Sequence, residues 1–313
     1  MIDYKQFLTT IAAIFLALAV GVALGAGPLK STADQQLRAS VDQLAAEKDD
    51  LRKQVLAQQS DQKYSDQAVN DMAPMLVSGQ LNGRKIIVVT LPGADGAYVD
   101  ALTRLVQQAG GDLTGTVGVQ PKFADPSQSQ FVEELADSAL GSAPATGLEI
   151  PASASGYQRV GYIIAHALVT KSAEPSDASG AAILAAFTDQ GLLKVPDGIE
   201  RAGAVLMVAG PPDAEGSAEE DPMAYVGLSV GLDGSSNAGA VVVGPPDSAR
   251  SGGALNAIRT DDVARRRVST VDQIQSPAGR LAVVFAQVEQ AADNAGHYGN
   301  VGKTDGTAPK PAG

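Results

Sequence analysis

Three aspartates stand at equivalent places after three β-branched runs. They are Asp95 in Leu91-Pro92-Gly93-Ala94-Asp95-Gly96, Asp213 in Gly210-Pro211-Pro212-Asp213-Ala214-Glu215-Gly216, and Asp247 in Gly244-Pro245-Pro246-Asp247-Ser248. If the preceding strands are parallel, these loops share the carboxyl edge of one sheet, where open α/β sheets bind ligands. Carboxylates converging there would suit a cation. The competing reading is that Pro, Gly and Asp are ordinary turn formers. The chain has two histidines. His166, flanked by Ile163, Ile164 and Leu168, reads as a satisfied, partly buried helix residue. His297, in Gly296-His297-Tyr298-Gly299, borders a Gly- and Lys-rich stretch expected to be too flexible to preorganise a base.

Other chemistry is excluded by composition. The chain has no cysteine, which removes disulfides, thiolate nucleophiles and Cys-based metal sites. A formal charge of −12 argues against a nucleic-acid partner, whose phosphates it would repel. Gly302-Lys303-Thr304 resembles the end of a phosphate-binding loop, but His297 stands where its first glycine is required. Ser60-Asp61-Gln62-Lys63 fits S-x-x-K on a polar helical stretch with no pocket to desolvate the lysine. No G-x-G-x-x-G follows the first strand, and H-E-x-x-H does not occur. The expectation is a non-enzymatic protein without a cofactor.

The elements that would carry these residues are legible from period. The run Lys85-Ile86-Ile87-Val88-Val89-Thr90-Leu91 lacks polar alternation, as a strand covered on both faces does. Strands are expected at 85–91, 112–119, 192–195, 202–208, 238–243 and 267–271. Helices are expected at 97–109, 127–140, 153–170, 179–190, 223–228 and 278–292. This alternation predicts an α/β domain over 84–293, a mostly parallel α/β sandwich of the Rossmann-like or flavodoxin-like kind. Composition predicts a disordered tail over 294–313.

Ahead of this domain, residues 6–29 carry no charge. About 20 apolar residues span a bilayer as a helix, so a transmembrane helix is expected there, after a short cytoplasmic end at 1–5. A cleaved signal peptide is the alternative; both predict export of the remaining chain. Gly21 and Gly25 form a small-residue pair that lets membrane helices approach closely.

Over 30–78 a coiled-coil stalk is expected. Leu37, Val41, Leu44, Lys48, Leu51 and Val55 follow one another at spacings of 4, 3, 4, 3 and 4. Leu at d and Val at a favour two parallel strands, with Lys48 as the polar interruption that penalises other registers. Glu47 at g and Arg52 at e would pair between chains. Gln58, Gln62 and Ser65 weaken the seam before Val69, Met72 and Leu76 restore it, and Pro74 with Ser78-Gly79 should end the helix. The alternatives to a homodimer are packing on the chain's own domain and a helix of another protein.

Several of these segments together resemble one actinobacterial envelope family, MctB/SteB. They are Phe15-Leu16-Ala17-Leu18-Ala19-Val20-Gly21-Val22-Ala23-Leu24-Gly25, the heptads after it, Ser269-Thr270-Val271-Asp272-Gln273-Ile274 and Gly296-His297-Tyr298-Gly299. The resemblance implies a single-pass membrane protein with an extracytoplasmic domain, and two functions. SteB-like members act with the membrane protein SteA in cell separation, promoting peptidoglycan cleavage by an RipA-type hydrolase. MctB-like members are credited with copper transport in the outer envelope. Copper(I) wants thiolate or thioether ligands, whereas there is no cysteine and five scattered methionines. The scaffold reading is therefore preferred, with copper transport as the alternative.

Overall fold

The computed structural model describes residues 4–25, 29–142, 147–154, 156–172, 178–212 and 220–310. It divides into two units, Met1–Ser65 and Asp66–Gly313. The first holds helix α1 (Tyr4–Gly25), with a mean hydropathy of 2.5 and no buried residue, and most of α2 (Leu29–Val77). In α2 the seam residues Leu37, Val41, Leu44, Leu51 and Val55 are 49 to 64% exposed. The flanks bond within the helix, Gln43 donating to Glu47 at 3.0 Å and Gln54 to Asp50 at 2.9 Å, supports worth a few tenths of a kcal/mol each, ~0.2–0.5.

Pro74 does not end α2, which runs on to Val77. The ring forfeits one backbone bond, and burial of Ala73 and Val77, with Val69 packed beside them, holds the last turns in place. Met72 and Leu76 are 50 and 48% exposed, as the earlier heptad residues are, whereas Val69 packs against the second unit's core.

The second unit is built on a seven-stranded sheet in the order β3-β2-β1-β4-β5-β6-β7. Its strands are β1 (Lys85–Thr90), β2 (Asp112–Val119), β3 (Leu193–Lys194), β4 (Ala204–Val208), β5 (Ala240–Val243), β6 (Ser269–Val271) and β7 (His297–Tyr298). All neighbours are parallel except β3, which pairs antiparallel with β2. Residues alternate between faces. Ile87, Val89, Val205 and Met207 enter one core, and Ile86, Val88, Leu206 and Val208 the other.

The first core is covered by α4 (Ser129–Ser142), α5 (Gly156–Leu168), α6 (Ala178–Asp189), α7 (Pro222–Ser235) and α8 (Ala254–Thr260). The second is covered by the end of α2, α3 (Gly96–Gln108) and α9 (Pro277–Gln290). The result is a doubly wound three-layer α/β sandwich.

Three elements differ from expectation. Helix α7 runs to Ser235 because its glycines, costly to an isolated helix, are required by packing. A Cβ on Gly231 would lie 2.2 Å from the Gly161 carbonyl carbon, and one on Gly227 2.4 Å from that of Tyr157, so α5 and α7 touch backbone to backbone. Helix α8, with 3-10 turns on either side, lies in a stretch to which the sequence pattern assigns no element. Residues 297–298 form a strand rather than part of a disordered tail, and Tyr298 is bridged to Gly306.

Gly231→Ala forces a methyl into backbone and should destabilise the protein by about 3 kcal/mol, at the upper end for overpacking. Denaturant unfolding of the full-length chain in neutral detergent measures it.

Candidate functional site

At the sheet's carboxyl edge the strand order reverses between β1 and β4, the position where doubly wound sheets open a ligand crevice. Here the two loops close on each other. A Cβ on Gly210 would meet the Gly93 carbonyl carbon at 2.3 Å, and the cavity among Leu91, Pro92, Pro211, Pro222 and Tyr225 is about 30 Å³. That is the volume of one water molecule.

The aspartates of these loops serve the loops themselves. Asp95 caps α3, its carboxylate accepting from the Ala97 N–H at 2.8 Å. Asp247 lies in a 3-10 turn, 2.8 Å from Arg250 Nη1. Asp213 falls outside the described residues. Among the described residues no three His, Asp or Glu side chains are grouped to hold a metal ion. His166 is buried in α5, its Nε2 accepting from Arg201 Nη2 at 3.1 Å and lying 3.1 Å from Ser179 Oγ.

The structure brings two separate sequence segments together, 269–274 and 296–299, a pairing that spacing alone does not disclose. Asp272, after β6, is fully buried and faces Arg259 of α8, Nη1 to Oδ2 at 2.8 Å. Arg259 also donates to Thr270 Oγ1 (2.7 Å), to the Val301 carbonyl (2.7 Å) and to the Tyr298 carbonyl (3.0 Å). Asp272 accepts from the backbone N–H groups of Asn300 and Val301. The chain after β7 is thus tied to the sheet by one buried ion pair. Beside it, His297 Nε2 lies 3.0 Å from the Arg265 carbonyl and Nδ1 3.0 Å from the Thr270 hydroxyl. The neutral ring with its proton on Nε2 fits both partners. Burial, and then the charge of Arg259, push the His297 pKa below its ordinary 6.5.

Gly21 and Gly25 lie on α1 with open space beside them, and Leu37, Val41, Leu44, Lys48, Leu51 and Val55 lie on the bare length of α2. In the first unit the exposed apolar side chains are therefore on the helices.

These features define an α/β protein with one N-terminal helix long and apolar enough to serve as a membrane anchor. The chain belongs to the MctB family, whose model, described as copper transport outer membrane protein MctB, matches residues 1–309. It is 28% identical over 327 residues to the copper transporter MctB of Mycobacterium tuberculosis and to that of Mycobacterium bovis, with 98% of each chain covered. The Mycobacterium leprae copper transporter MctB is 27% identical over 320 residues, with 96% covered on both sides. It is an envelope protein of that family.

Arg259→Met strands the Asp272 carboxylate in the interior and should cost about 3–5 kcal/mol, as breaking buried pairs does. Lys85→Met, at the exposed pair with Glu200 (2.6 Å), should leave stability almost unchanged, because solvent screens the pair. Denaturant melts of both variants compare the two. The depressed His297 pKa makes an unfolded chain take up the proton first as pH falls through 6.5. Its stabilising contribution is present above that pH and lost below it. Wild-type Tm should therefore fall between about pH 7.5 and 5.5 more steeply than that of His297→Gln.

Proposed function

We propose that the protein is a dimeric, non-enzymatic scaffold of the cell envelope, anchored by α1 and paired through α2, working by contact with other proteins. The observation that carries this reading is the exposed heptad seam, Leu37, Val41, Leu44, Leu51 and Val55, on a helix that covers none of it. Apolar residues at this spacing are buried when a second helix of the same pattern lies alongside. Gly21 and Gly25 would let the preceding membrane helices approach in the same parallel sense. The domain is extracytoplasmic in this reading. Its partners are a SteA-like membrane protein and a peptidoglycan hydrolase of the RipA type, as the family resemblance implies for cell separation. The crevice closed by Gly93 and Gly210 supports action through surfaces rather than through a bound substrate.

The names of the mycobacterial relatives favour a second reading, copper transport. Met72 and Met75 are exposed at one turn's spacing on α2, whereas Met207 is buried in the sheet. A Cu(I) titration of the full-length protein separates the two readings, since transport through a thioether site predicts saturable binding. Recovery of a membrane partner and a peptidoglycan hydrolase from cross-linked envelopes is the outcome expected of the scaffold.

The absence of native cysteine gives a clean background for testing the pair. Leu44→Cys, at a d position, should yield a disulfide-linked dimer on mild oxidation in neutral detergent. Ala46→Cys, on the outer face of the same helix, should not. Leu44→Ser with Leu51→Ser should sediment as a monomer. A monomeric wild type would overturn the stalk.

A further inference from the structure

We propose that the amino-terminal edge of the sheet, opposite the closed crevice, binds an organic anion such as a phosphorylated sugar. Nothing in the dimer reading is needed for this site. At that edge, where β1 and β4 begin, lies a cavity of about 720 Å³, within the range of roughly 300–1,000 Å³ occupied by small-molecule sites. Among the described residues, Arg84, Lys85, Lys171 and Arg201 line it against one carboxylate, Glu200, a count of +3. The chain as a whole carries −12, so this is a local reversal of the protein's field.

A second cavity of about 560 Å³ shares Lys171 and Asn237 with the first and adds Arg266 and Arg267 against two carboxylates, Asp233 and Asp293. Two of these cations already face carboxylates: Lys85 lies 2.6 Å from Glu200 and Arg267 3.1 Å from Asp233. Arg84, Lys171 and Arg266 have no ion-pair partner among the described residues. Arg201 is steadied by His166, to which its Nη2 donates at 3.1 Å. Guanidinium groups bind phosphate and carboxylate oxygens in pairs. The apolar part of the wall, Ile199, Ala204 and Ala238, suits the carbon frame of a ligand rather than a bare ion.

A sugar phosphate and a phospholipid headgroup share this chemistry, and the test separates them. The full-length protein in neutral detergent is titrated by calorimetry with inorganic phosphate, glucose 1-phosphate and glycerophosphoglycerol, the soluble headgroup of phosphatidylglycerol. The expected result is saturable binding of an organic phosphate, tighter than inorganic phosphate. It should weaken at least about tenfold in Arg84→Gln/Lys171→Gln and be unchanged in Arg104→Gln, on the exposed side of α3. Preference for glucose 1-phosphate assigns the site to soluble sugars; preference for glycerophosphoglycerol assigns it to lipid. Flat titrations with all three probes, or equal weakening by Arg104→Gln, would overturn it.

Discussion

The head rests on two-sided burial of β1, β4 and β5. Ile86 and Val88 enter one layer and Ile87 and Val89 the other, so neither layer can shift without moving the strand that both share. Small side chains and glycines complete the arrangement. The contact of α5 with α7 at Gly161, Gly227 and Gly231 brings backbones together where side chains would normally intervene. With aromatics at only 4% of the chain, tight approach replaces bulk as the source of dispersion contacts.

The same economy explains the character of the two sheet edges. At the carboxyl edge, glycine meets glycine and the usual crevice shrinks to the size of a water molecule. Asp95 and Asp247, free in principle to recruit a cation, are spent on a cap and a turn. At the amino edge, space and positive charge remain. Among the described residues, the doubly wound topology is thus present without an open crevice at its switch point.

Much of the fold was legible because the central strands are continuous apolar runs. The run at 85–91 and the stretch at 112–119 correspond to β1 and β2 within a residue. The elements that escaped were set by distant partners. β7 is two residues, His297 and Tyr298, with no β-branched run, and is held by Arg259 and Asp272 from elements before it. The extent of α7 depended on glycine contacts with α5 that propensity counts against a helix. Of the candidate site, the exposed apolar positions on α2 are legible from spacing, whereas the basic cavity gathers Arg84, Lys171 and Arg201 from separate parts of the chain and has no sequence signature.

The two outermost strands, β3 and β7, are each only two residues long. Gly306 is bridged to Tyr298 on the outer side of β7. Such stubs present almost no row of vacant amide and carbonyl groups of their own, although β3 covers only Gly118 and Val119 of β2. Strand addition is thereby disfavoured at β3 and β7 themselves, and the outer edge that remains is the part of β2 ahead of Gly118 that β3 leaves uncovered.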